Sequence, residues 1–366
     1  MKIGIIGAGA VGSTAAYYLS KDKSNDVTVF DYGVGQATKA AAGIICPWFS
    51  KRRNKAWYRL ARLGADFYQE LLSDLENEGI PNDFYQQSGV FIFRKQEDKL
   101  EELYDIALDR KCESPLIGEL KFLSYDESQN DFPNLFHFKN TLYSSGAARV
   151  EGSKLTNTLL KNSKIKFIKK KVSLKRVKTR WQIENELFDT VILASGAWLK
   201  ELLEPLGYSV DCRPQKGQLR DYYFEHLNTR DYPVLMPEGE IDIIPFPNGK
   251  ISVGASHENE KGFDLSIDKE ILTKMEKEAL SYYPNLSQYE SKQERVGIRA
   301  YTSDYSPFFG LLPEESNIYV ASGLGSTGLT IGPLIGKEIA MHILQGTTKL
   351  NFNDYSADKY VTKMKK

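Results

Sequence analysis

One pattern near the start of the chain limits its architecture more than any other. Lys2-Ile3-Gly4-Ile5-Ile6 reads as a short buried strand and runs straight into Gly7-Ala8-Gly9-Ala10-Val11-Gly12. A helical stretch follows from Ser13 to Ser20, then a second strand, Val27-Thr28-Val29-Phe30, which ends on Asp31. Strand, glycine-rich turn, helix and strand with a terminal acid form the βαβ unit that binds dinucleotides. Gly7 permits the tight turn, Gly9 lets the backbone approach a pyrophosphate, and Gly12 lets helix and strand pack closely. Ala8, Ala10 and Val11 belong to the same phosphate-facing turn, where amides at a helix start meet negative charge. Asp31 can accept hydrogen bonds from ribose hydroxyls. An acid there favours an unphosphorylated ribose, so FAD or NAD rather than NADP.

At 366 residues the chain is long enough for two domains of ordinary size. Its 48 basic residues balance its 48 acidic ones, so no global field draws it to nucleic acid or to a membrane surface. Cys46, Cys112 and Cys212 are scattered and odd in number, without CxxC or metal-ligand spacing. That usage predicts no disulfide framework and a reducing, cytoplasmic setting. No apolar run is long enough for a transmembrane segment.

Along the chain, residues 33–50 read as a loop of small residues, and residues 54–78 as a helix with Trp57, Leu60, Phe67, Leu71 and Leu75 on one face. Gly89–Arg94 predicts a strand, and helices are expected over Gln96–Arg110 and Glu151–Asn162. Trp181-Gln182-Ile183 alternates as a hairpin strand does. Thr190 to Ala194 reads as a buried strand entering Ser195-Gly196-Ala197-Trp198. Strands are expected again over 217–223, 241–246 and 250–254, a helix over 267–282, a strand over 317–321 and a C-terminal helix over 329–345. Nine lysines and arginines crowd the stretch from Lys164 to Arg180. Without interleaved aromatics they read as a solvated edge rather than a nucleic-acid surface.

The ordered set of these stretches resembles the D-amino-acid-oxidase-like family of FAD-dependent oxidoreductases, the group of glycine oxidase, sarcosine oxidase and D-amino acid dehydrogenase. Four stretches carry the likeness. They are the N-terminal fingerprint through Asp31, and Ala37-Thr38-Lys39-Ala40-Ala41-Ala42-Gly43. The third is Asp189 through Trp198 with Lys216-Gly217-Gln218. The fourth is Gly297-Ile298-Arg299, then Asp304 to Gly310, then Asn317 through Gly336.

The resemblance implies α/β and α+β architecture. A Rossmann-type FAD-binding domain, discontinuous over 1–82, 145–215 and 295–366, would carry a mixed-sheet substrate domain formed by 83–144 and 216–294. It implies that Thr38, Ala41, Ala42, Gly43 and Ile44 back the flavin, and that Val172 lies near the adenine. Ser195, Gly196, Trp198, Gly297 and Arg299 would also lie beside the cofactor. Gly325, Ser326, Thr327, Gly328 and Leu329 would offer amides to the pyrimidine end of the ring. No cysteine falls where covalently flavinylated relatives attach the ring, so the FAD is expected to be noncovalent.

By the same resemblance, Arg299 matches the position that holds a substrate carboxylate, which suits a planar guanidinium. On the strand pattern alone, Arg299 could instead face solvent, and Arg295 shares its parity. Two departures from the family stand out. Ala300 replaces a frequent proline, and Asp242 stands where a tyrosine is common in glycine-oxidase-like members. Asp242 reads either as a pocket carboxylate for a cationic group on the substrate or as a surface acid. His257, in a polar loop, reads as surface.

The implied reaction oxidises a C–N bond of an amino acid or secondary amine by hydride transfer, giving an imine that hydrolyses. Oxygen, a quinone or a protein could serve as electron acceptor. No separate acid or base is required, because the cofactor carries the difficult chemistry. Competing readings are an NAD-linked dehydrogenase and a flavin-bound interaction or RNA-modifying protein.

Overall fold

The first strand, Lys2–Ile6, sits inside a six-stranded sheet of the computed structural model, which describes residues 1–136 and 138–364. Across this sheet the order is Phe308–Leu311, Ile318–Ser322, Thr190–Leu193, Lys2–Ile6, Asp26–Phe30 and Ile165–Ile168. All pairings are parallel except that of Phe308–Leu311 with Ile318–Ser322. Ile5 pairs with Val29 on one side and Ile192 on the other. The continuous apolar runs follow from burial on both faces, as expected for parallel strands. Helices Ala10–Leu19 and Gly328–Gln345 pack against each other, and Lys55–Asn77 packs on the latter.

A second sheet has eight strands, in the order Ser291–Tyr301, Arg213–Tyr223, Lys250–Gly254, Asp242–Phe246, Val234–Met236, Val90–Ile92, Asn140–Ser144 and Leu120–Ser124. Its pairings are antiparallel apart from Val90–Ile92 with Val234–Met236. The basic stretch leads into a separate three-stranded antiparallel sheet, Leu174–Val177, Arg180–Ile183 and Glu186–Phe188. Several of its charges are paired: Lys166 with Glu186, Lys170 with Glu184, Arg176 with Glu315 and Arg180 with Asp189.

Most expected elements are present, with shifts at their ends. The first helix begins at Ala10 rather than Ser13, because Gly9 already serves as its N-cap. The strand expected over 217–223 starts at Arg213. Residues 33–50 are not simply a loop; they contain a short helix, Ala37–Ala40, a strand, Ile44–Ile45, and a 3-10 turn, Pro47–Phe49. Sequence reading passed over residues 112–150. There Ser124 caps helix Tyr125–Asp131 reciprocally with Glu127, a pattern visible as Ser-x-x-Glu.

Candidate active site

The glycine-rich turn owes its shape to contacts that only glycine allows. Gly7 has a φ of +104°, and a Cβ there would fall 2.2 Å from the Ala194 carbonyl oxygen. A Cβ on Gly12 would fall 1.8 Å from the Gly7 carbonyl oxygen, so the helix can begin this close to the strand only without a side chain. Three amides of the turn are already used: Gly7 donates to the Phe30 carbonyl at 2.8 Å, Ala8 donates to Asp31 at 2.6 Å, and Ala10 donates to the Thr38 hydroxyl at 3.1 Å. Among the described residues, the amides of Gly9 and Val11 have no such acceptor, and Gly9 caps the helix without a side-chain bond. Open first-turn donors of this kind are what an anionic pyrophosphate requires.

Asp31 also accepts from the Gly33 amide at 2.6 Å and from Gln36 Nε2 at 2.8 Å. Its carboxylate is thus held in place by the turn that it closes. At the same carboxyl edge of the first sheet, two strands away, Ser326 donates its amide to the Tyr301 hydroxyl at 3.0 Å, and Thr327 donates to the Leu324 carbonyl at 3.1 Å. Gly328 and Leu329 open the C-terminal helix, whose first-turn amides have no partner within that helix.

Both helix starts face one cavity of about 700 Å³. Its walls include Gly7, Gly9, Ala10, Val11, Asp31, Thr38, Ala41, Ala42, Gly43 and Ile44. They also include Val172, Ser195, Gly196, Trp198, Gly297 and the run Gly325 to Leu329. Of the residues assigned to the cofactor from sequence, Ala8 and Gly12 alone stand behind the wall. Ala8 is 2 % exposed and bonded to Asp31, and Gly12 is turned onto Gly7. Gly297 lets the small-residue helix lie against the second sheet, since a Cβ there would meet Ala40 Cβ at 2.8 Å.

The opposite wall is one face of the eight-stranded sheet. Partners in register point to the same face. Arg299 is opposite Gln215, Gly217 opposite Gly297, Asp242 opposite Gly254, and Met236 opposite Ile92. Arg299, Gly217, Asp242, Met236, Ile92 and Arg94 accordingly all line the cavity. The Arg299 guanidinium lies on Gly217, where a Cβ would meet its Nη1 at 2.6 Å. Nη1 donates to Gln215 Oε1 at 3.1 Å and to the Ser256 carbonyl at 2.8 Å. Arg295 is committed elsewhere. Its Nη2 donates to Asp221 at 2.8 Å and its Nε lies within ion-pair distance of the same carboxylate, and it is absent from the cavity wall.

Asp242 faces the cavity rather than bulk solvent, and burial pushes its carboxyl up to about 7 against an opposing pull from Arg94. Cys46 shares this region, where burial and then Asp242 hold its thiol well above the usual range. His257 is exposed, as its polar loop suggests, and also borders the cavity, where partial desolvation and then the positive Arg299 push its pKa down.

The Lys216-Gly217-Gln218 stretch also gains a physical account. Gly217 makes room for Arg299, while its neighbours point to the other face and brace the loop after Gly254. Lys216, 1 % exposed, lies 3.0 Å from Asp264 and 3.7 Å from Glu258. Gln218 donates to Glu258 at 2.7 Å and accepts from the Asp268 amide at 2.8 Å. The braced loop reaches the first sheet, with Phe263 against Trp198 at a ring separation of 5.1 Å.

Sequence reasoning missed Arg94, Glu240 and Met236 as cavity residues. Arg94 carried a weak signal, being two residues beyond Ile92 on the same parity of an apolar strand.

The donor set suits a large, flat, anionic cofactor: open amides at two helix starts, an anchored acid, and small side chains between them. Comparison with known proteins agrees. Residues 2–341 match the model of the FAD dependent oxidoreductase family. The chain is 37 % identical over 365 residues to an uncharacterized oxidoreductase, YurR, of Bacillus subtilis (strain 168), covering 96 % of this chain and 97 % of the relative. It is 26 % identical to a glycine oxidase of Pseudomonas putida (strain KT2440), covering 90 % of each. Among solved structures, iminodiacetate oxidase from Chelativorans sp. BNC1 superposes with a TM-score of 0.92 at 28 % identity, over 97 % of this chain and 98 % of that one. Glycine oxidase from Geobacillus kaustophilus gives a TM-score of 0.83 at 20 % identity, over 97 % of both. The family sets aside an NAD-linked reading of the fingerprint, and the protein is an enzyme. This chain belongs to the FAD-dependent oxidoreductase family.

Proposed function

We propose that the enzyme oxidises the C–N bond of an amino acid or secondary amine, by removal of an α-hydrogen as hydride, to an imine that hydrolyses in water. The observation that carries this reading is the seating of Arg299. Its guanidinium lies on Gly217 in the wall facing the open helix starts, and among the described residues no carboxylate forms a salt bridge with it. A desolvated guanidinium without its own acid is a receptor for a carboxylate. The likeness to glycine oxidases and to an iminodiacetate oxidase supports an amine bearing such a group.

Bound FAD supplies a two-electron acceptor. The chain's own residues do the rest. Gly9, Val11, Gly328 and Leu329 offer amides to it, Asp31 its carboxylate, and Ala41 to Ile44 a close-packed backing. Arg299 fixes the substrate carboxylate and so aims the adjacent C–H bond, which is a positioning effect. An ammonium must lose a proton before its α-hydrogen can leave as hydride. Asp242, with a carboxyl near neutrality, is suited to take that proton.

The FAD is held noncovalently in this reading. Cys46 is the cysteine in the cavity wall among the described residues, and its raised pKa keeps it a neutral, unreactive thiol. We divide the chain as its sequence suggests, with 1–82, 145–215 and 295–366 around the cofactor and 83–144 and 216–294 carrying the substrate. Oxygen, a quinone or a protein takes the electrons onward.

The test is spectroscopic. Acid treatment of the yellow protein is expected to release free FAD into the supernatant. Under anaerobic conditions the flavin band is expected to bleach with one or more of glycine, N-methylated glycine, iminodiacetate or a D-amino acid. A fully loaded protein that no amine bleaches would sink the proposal.

A further inference from the structure

Arg94 is a second guanidinium in the cavity wall, beside Arg299, and the reaction as described gives it no task. It stands just past strand Val90–Ile92, on the cavity-facing parity. Its Nη1 donates to its neighbour's carbonyl, Phe93, at 2.6 Å and to the Met236 carbonyl at 3.3 Å. Those bonds hold one edge of the guanidinium. Among the described residues it forms no salt bridge, although Glu238 and Asp242 both act on it through their fields. Glu238 is engaged elsewhere, accepting the Lys95 amide at 3.0 Å and approached by Lys99 at 3.6 Å. Burial disfavours Arg94's charge, yet a guanidinium stays protonated in proteins. A charged, partly dehydrated group of this kind is stabilised by an anion in the adjoining space.

The sheet order places this cation relative to the others. Asp242 lies on strand Asp242–Phe246, three strands from the strand of Arg299 and two strands from that of Arg94. All three point to one face and into one cavity. The arrangement is cation, carboxyl, cation, read across the sheet. A secondary amine with a carboxylate on each arm has the complementary order of anion, ammonium and anion.

Resting on the amine-oxidising reading of this site, we propose that Arg94 forms a second carboxylate subsite and that the enzyme's substrates are secondary amines with a carboxylate on each arm. Arg299 holds the carboxylate next to the carbon that is oxidised. Arg94 holds the far carboxylate, and Asp242 faces the nitrogen between them. The proton balance closes within the site: the ammonium N–H bond breaks and an O–H bond forms on Asp242, leaving a neutral amine, and FAD, when bound, would supply the two-electron acceptor for its hydride. Glycine and N-methylated glycine lack the second anion and leave Arg94 unmatched.

The experiment uses the FAD-loaded enzyme and matched pairs of substrates. Iminodiacetate, N-(2-carboxyethyl)glycine and N-(3-carboxypropyl)glycine place the second carboxylate at increasing reach. N-ethylglycine and its longer N-alkyl homologues have the same arms without the charge. Anaerobic flavin bleaching gives a rate and a dissociation constant for each. At least one two-carboxylate amine is expected to exceed its uncharged counterpart by about 30-fold or more, the lower range for one desolvated charge pair. Arg94→Ala is expected to erase that ratio and Arg94→Lys to restore part of it, whereas a purely structural loss would lower both members of a pair together.

A second measurement does not depend on turnover or on the variants folding. Oxydiacetate, the ether counterpart of iminodiacetate, is expected to bind wild-type holoenzyme at least about 30-fold more tightly than ethoxyacetate by titration calorimetry. Equal use of charged and uncharged partners, or a ratio untouched by Arg94→Ala, overturns the second subsite while amine oxidation stands. A loaded enzyme bleached by no amine at all overturns the underlying reading as well.

Discussion

The two walls of the cavity are built from different materials. The wall on the six-stranded sheet is main chain: helix-start amides, glycines without room for a Cβ, and a carboxylate held by its own turn. The wall on the eight-stranded sheet is side chain: Arg94, Arg299, Asp242 and Met236 projected from strands far apart in sequence. A main-chain wall tolerates little change, because each residue sets the path of its neighbours. A side-chain wall can change its specificity one residue at a time while the strands stay paired. In the function proposed above, the common part of the chemistry belongs to the first wall and the choice of substrate to the second.

The largest effect is expected where the main-chain wall is tightest. Gly12→Val would drive a side chain into the Gly7 carbonyl, which a Cβ would approach to 1.8 Å. Overpacking of this kind costs about 3 kcal/mol or more. Thermal unfolding and FAD content should both fall sharply, and a stable yellow Gly12→Val protein would break the contrast between the walls.

Arg299→Ala tests the other wall and should behave in the opposite way. The fold and the FAD content are expected to persist, while substrate-driven flavin reduction loses about 2–5 kcal/mol, as for one partner of a desolvated charge pair. Loss of FAD together with reduction would show that the walls are not separable in this sense.

The smallest effect concerns pH. Burial raises the Asp242 carboxyl from its ordinary 3.8 to about 7, so between these values the folded chain binds a proton that the unfolded chain has released. Its contribution is present in full below about 3.8 and is lost as pH rises through about 7. Asp242→Asn removes the titration. The variant's melting temperature relative to wild type should therefore be higher at pH 8 than at pH 5, with a stability difference between the two pH values of about 1 kcal/mol or more. A difference independent of pH would mean that Asp242 is ionised throughout.

Local sequence determined the main-chain wall almost completely. Gly7, Gly9, Gly12 and Asp31 lie within one βαβ unit, where spacing alone dictates the turn and its open amides. Gly325 to Leu329 could be read in the same way, as a glycine-rich start to a helix. The side-chain wall was legible only in part. Arg299 came from the family likeness, and nothing local separated it from Arg295, four residues away on the same parity. Tertiary structure decided between them, by giving Arg295 the carboxylate of Asp221 and giving Arg299 the bare surface of Gly217. It also decided that Asp242 and His257 face the cavity, and that Arg94 joins them from a strand more than 140 residues away from Asp242 in sequence. The physical reason is range. Backbone turns and helix starts are set by neighbours in sequence, whereas the charge facing a given side chain is set by which strands the sheet brings together.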